Sequence, residues 1–80
     1  MSEVEFHLFA LIKQLEIKKG EKVTVAEIAK KARLHRNTVQ RISDNATERV
    51  DLTTLAKLRA FFDAEGMPIN IGDLFTDKVA

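Results

Sequence analysis

The chain has 80 residues, 45% apolar and 31% charged, with no cysteine, two histidines and a formal net charge of +1. That length is expected to form one domain over 1–80 with a small core, and a chain so well supplied with Leu, Ile, Val and Phe is not composed like a disordered one. Without thiols there is no disulfide scaffold, thiolate zinc site or thiol nucleophile; without a long apolar run or signal-peptide pattern, the expected address is the cytoplasm and no membrane is involved.

Ser2 followed by Glu5 reads as a capping box, predicting a helix from near residue 3. Its stripe is Val4, Leu8, Leu11, Ile12 and Leu15, and Gly20 is its stop. Phe6 and Phe9 lie off the stripe, so one of them is expected to be partly exposed. Thr24 and Glu27 form a second capping box, opening a short helix with Val25, Ile28, Ala29 and Ala32 inward. A third helix fits from Arg36 to about Asp44, with His35 in the N-cap position, Val39 and Ile42 inward, and Asn45 as a left-handed terminator. Residues 46–50 read as a loop. Asp51 then caps a fourth helix with Leu52, Leu55, Leu58 and Phe62 as its buried row, ended by Gly66 and Pro68. Asn70 and Asp73 cap one last turn carrying Ile71, Leu74 and Phe75 onto the core. The expectation is an all-α, compact five-helix bundle.

The small net charge hides an uneven distribution: residues 1–21 sum to −1, residues 22–49 to +4 and residues 50–80 to −2. A basic centre between acidic flanks points toward a polyanion, although a charge cluster is also what a solvated face looks like. Two short helices joined by a tight turn, the second polar and basic outside, make a helix-turn-helix over about 24–45. A helix that enters the major groove needs long donors on its outer face and two or three apolar residues on its inner one. Arg36, Asn37, Gln40 and Arg41 project outward at helical spacing. Arg pairs bidentately with guanine and Asn or Gln with adenine, so these four are the candidate base readers.

The segment Val23–Ile42 resembles the helix-turn-helix of the phage repressor and Cro-like (Xre) family. The likeness lies in its apolar and small positions, its Thr24 cap with Glu27, and the Arg36-Asn37-Thr38-Val39 opening of the second helix. Leu52–Leu58 is similar to the family's fourth helix and Asp73-Leu74-Phe75 to the ending of its fifth, so the resemblance covers roughly residues 8 to 75. It implies a lambda-repressor-like DNA-binding fold and base contacts from Arg36, Asn37, Gln40 and Arg41. It further implies phosphate contacts from Thr24, Thr38, Thr47 and Arg49. Three positions depart from the pattern. Val25 replaces a bracing Gln. Arg33 stands where Gly is common, so it either strains the turn or lends a further phosphate contact. Arg59 replaces a small buried residue, and is either displaced to the surface or paired with an acid such as Glu16 or Asp63.

His35 reads as an N-cap or a phosphate contact rather than a metal ligand. His7 has no partner at metal-binding spacing, and Ser2 and Ser43 have no His–acid arrangement beside them, so catalysis is not expected. No cofactor or small-molecule ligand is expected. Phe61 and Phe62 are adjacent, so one is read as core and the other as a candidate subunit contact. The expected function is sequence-specific binding of double-stranded DNA by a small stand-alone transcriptional regulator, with two copies on half-sites about one helical turn apart. The alternative is a protein-interaction module, antitoxin-like or adaptor, on the same fold.

Overall fold

The computed structural model describes residues 4–47 and 50–77. Among them run a strand β1 (Val4–Phe6), helices α1 (Leu8–Lys19), α2 (Val25–Ala32), α3 (Arg36–Ser43) and α4 (Leu52–Ala64), a single 3-10 turn at Ile71–Asp73, and a strand β2 (Phe75–Asp77). The bundle thus has four α-helices rather than five, since the fifth expected helix is only that 3-10 turn. Its capping box is nonetheless present: the Asn70 side chain accepts from Asp73 N–H and the Asp73 carboxylate accepts from Asn70 N–H.

The chain is also not purely helical. Val4–Phe6 pairs antiparallel with Phe75–Asp77, with Phe6 opposite Phe75. The expected helix start near residue 3 is therefore displaced to Leu8, and Ser2 of the expected capping box lies outside the described residues. The cause is tertiary. A strand lets the ring of Phe6 turn into the core, where it is buried, and its partner strand comes from the far end of the sequence. Phe9, as the off-stripe reading requires of one of the two, is 57% exposed.

One core joins all these elements. Leu8, Leu11, Ile12 and Leu15 of α1 meet Ile28, Ala29 and Ala32 of α2, Val39 and Ile42 of α3, and Leu55, Leu58, Phe61 and Phe62 of α4, with Leu74 closing the base. On α4 the buried row differs from the expected one. At about 100° per residue, Leu58, Phe61 and Phe62 fall within about 120° of Leu55 on one side, whereas Leu52 falls about 60° to the other. Leu52 is accordingly 70% exposed and Phe61 is buried. The two adjacent Phe rings meet edge to face at 5.2 Å, so neither is the subunit contact expected of one of them. The apolar residues Met67, Ile69 and Ile71 also pack on the core.

Helix ends follow the local rules. Thr24 and Asp51 accept the N–H of Glu27 and Thr54 as N-caps. α2, α3 and α4 each end in a paired return of two N–H groups around a left-handed residue: Arg33 (φ 58°), Asn45 (φ 56°) and Gly66 (φ 83°). At the ends of α1, α2 and α4, Lys19 and Lys31 converge on the Glu65 carboxylate. The Lys19 ammonium holds that carboxyl below its usual range. Arg59 lies at the surface, while Glu16 is engaged by Lys13 and by the Val23 N–H.

Candidate nucleic-acid interface

The geometry of α3 follows from its eight residues. Taking about 100° per residue from Arg36, the positions Arg36, Gln40, Asp44, Asn37 and Arg41 span an arc of about 140°. Val39 and Ile42 lie on the opposite side. The solvent exposures match that wheel. Arg36, Asn37, Gln40, Arg41 and Asp44 are exposed, Thr38 and Ser43 at the flanks are half-buried, and Val39 and Ile42 are fully buried. Two fully buried side chains hold the helix down, and four polar ones are exposed along about 7.5 Å of helix axis.

The residues expected as backbone contacts lie on several elements. Thr24 is exposed at the start of α2, but its hydroxyl accepts the Glu27 N–H at 3.1 Å and so already serves as a cap. His35 holds the N-cap position of α3 with extended backbone, yet its side chain makes no capping bond and is exposed. Thr38 and Thr47, with Arg41, Asp51 and Thr54, line a pocket of about 210 Å³ where the end of α3 faces the start of α4. Arg49 lies outside the described residues. Arg33 is exposed at the turn, in the left-handed conformation that glycine would hold without strain. Its carbonyl accepts from Lys57 Nζ at 3.5 Å. Val25, in place of the family's Gln, is half-buried against the core.

The family model of the Cro/C1-type helix-turn-helix DNA-binding domain matches residues 12–78. The chain belongs to this family. No curated protein and no solved structure matches it. Membership in the Cro/C1-type family supports DNA binding and transcription regulation, and speaks for a binding rather than a catalytic role. Among the described residues no helix is long and apolar enough to cross a membrane.

The partner of one residue on the face of this Cro/C1-type domain was not foreseen from sequence. Gln40 is not a free reader: its Nε2 donates to both carboxylate oxygens of Asp44 at 3.0 Å. That pair engages the Gln40 amide nitrogen and places a carboxylate among the cations. The i,i+4 spacing of Gln and Asp was the available signal. Elsewhere the acids near the face are engaged: Glu27 pairs with Lys31 at 3.5 Å, and Asp51 caps α4.

Proposed function

We propose that this chain, acting as one helix-turn-helix unit, binds double-stranded DNA sequence-specifically as a small transcriptional regulator of repressor or Cro-like type, with α3 in the major groove. The observation that carries the reading is the exposed arc of Arg36, Asn37, Gln40 and Arg41 on a helix whose buried side chains are Val39 and Ile42. In this reading Arg36 and Arg41 offer forks to the N7 and O6 of guanine, and Asn37 and Gln40 approach base edges bearing amino groups. Thr24, Arg33, His35, Thr38, Thr47 and Arg49 meet phosphates around the face and set its register. One α3 reads too few base pairs to address a genome, so two copies occupy half-sites about a helical turn apart.

About four to six phosphates neutralised by the basic centre give a slope of log affinity against log salt of about −4 to −5. Duplex titrations at several salt concentrations measure it, and a slope near zero sinks the reading. Arg36→Ala and Asn37→Ala should each cost about 1–3 kcal/mol on the preferred duplex and relax preference at particular base pairs. The rival reading, a protein-interaction module, draws on Phe9 and Ile17, which are 57% and 83% exposed on the outer face of α1. Unchanged preference in both α3 variants would favour it.

A further inference from the structure

Asn45 stands just beyond α3, at a positive φ that returns its own N–H to Ile42 and the Ala46 N–H to Arg41. Any residue tolerating that backbone would end the helix. The Asn45 side chain makes a further bond that the turn does not need. Its Oδ1 accepts the N–H of Phe6 at 2.9 Å, from 39 residues away in sequence. The direction of that N–H follows from strand geometry. His7 N–H bonds Leu74 carbonyl, continuing the β1–β2 register, and antiparallel ladders alternate bonded and unbonded pairs. Phe6, one residue before His7, therefore turns its N–H away from β2, toward the outer edge of the ribbon. Asn45 meets it there.

The Phe6 ring is buried in the core, and His7 Nε2 is hydrogen-bonded to Thr76 Oγ1 across the ribbon, so the point to which Asn45 is tied is itself fixed. The reading helix needs such a point. Val39 and Ile42, about one turn apart, define a line about which an eight-residue helix can rock, and base readout requires placement within about 0.5 Å. We propose that Asn45 is the positioning residue that stops this rocking, so that the β1–β2 ribbon sets the angle at which Arg36, Asn37, Gln40 and Arg41 are presented. β1 lies outside the segment matched by the family model, which begins at residue 12, so this bracket belongs to the chain and not to the matched pattern. The inference rests on the DNA reading for its consequence, but not for the bracket itself.

The test compares Asn45→Gly with Asn45→Asp in the full chain. Glycine keeps the left-handed turn and removes the acceptor; aspartate keeps both an acceptor and tolerance of positive φ. The first readout is the ratio of affinities for a selected duplex and a random one. It should fall about three- to tenfold in Asn45→Gly, the range one net hydrogen bond spans, and return in Asn45→Asp. The added carboxylate should weaken both duplexes alike and leave the ratio intact. The second readout is amide hydrogen exchange, expected to quicken across Val39–Ala46 in Asn45→Gly while α1 and α4 keep their protection. A wild-type ratio in Asn45→Gly, or equal losses on both duplexes that track a lower melting temperature, overturns the positioning role. A wild-type chain without preference for any selected duplex overturns the DNA reading. Exchange then decides the bracket by itself, and unchanged protection of α3 in Asn45→Gly overturns it.

Discussion

Arg33 combines an unfavourable backbone with an exposed charge, and two substitutions separate them. Its φ of 58° and ψ of 47° lie in the left-handed region. For a residue with a Cβ that conformation costs about 1–2 kcal/mol. Arg33→Gly removes the cost but gives the unfolded chain more freedom, which takes back about 0.5–1 kcal/mol. The net expectation is stabilisation by about 0.5–1 kcal/mol. For a domain of this size, that is a rise in Tm of roughly 3–6 °C. The bonds of the turn are all main-chain on the Arg33 side: Leu34 N–H to Ala29, Arg33 N–H to Lys30, and the Arg33 carbonyl to Lys57. They survive the change. Binding should move the other way, with the salt slope flatter by about one unit and the ratio of selected to random duplex unchanged. Arg33→Ala is the control, because it loses the same charge and keeps the strained backbone. Thermal melts by circular dichroism and duplex titrations at several salt concentrations make the comparison. If the glycine and alanine variants melt together, the turn stores no strain and the reasoning fails. If their salt slopes equal that of the parent, Arg33 makes no phosphate contact.

Val39 is fully buried on the inner face of α3, so Val39→Ala should cost about 2 kcal/mol in chemical denaturation and lower Tm by roughly ten degrees. Asp44→Ala removes a carboxylate from the reading face and frees the Gln40 amide; affinity for random duplex should rise a few-fold at low salt and the gain should shrink as salt is added. Three carboxyls are held below their ordinary range: Glu16 by the Val23 N–H, Asp51 by the Thr54 hydroxyl and N–H, and Glu65 by Lys19. The folded chain therefore binds fewer protons than the unfolded one in acid, and the stability these groups add is complete above the unfolded carboxylate values of about 4. It is lost as pH falls through the depressed folded values. Denaturation midpoints should be level from pH 7 to about 5 and drop toward pH 3; a flat profile to pH 3 contradicts the pairing.

What the sequence disclosed was the part governed by neighbours three or four residues apart. The wheel of α3, the caps at Thr24 and Asp51 and the left-handed stop at Asn45 are local, and each is where the pattern of side chains puts it. Long-range pairing left no such trace. Val4 continues a helical stripe in sequence, yet Val4–Phe6 is a strand because Phe75–Asp77 lies beside it. On α4 the choice between Leu52 and Phe61 depended on which side α2 and the rest of the core occupy, and spacing alone does not carry that. One of Phe61 and Phe62 read as a subunit contact for the same reason, since a helix embedded on more than one side can bury adjacent residues. The Gln40–Asp44 pair was legible in spacing but was hidden by treating each polar residue as an independent reader.

The Asn45–Phe6 bond also covers part of one edge of the ribbon. A two-stranded ribbon with both edges open can be extended in either direction, and repetition of that step yields a fibre. Here the β1 edge is obstructed at Phe6 by a side chain from another part of the fold. A strand added on that side would have to displace Asn45 from the Phe6 N–H.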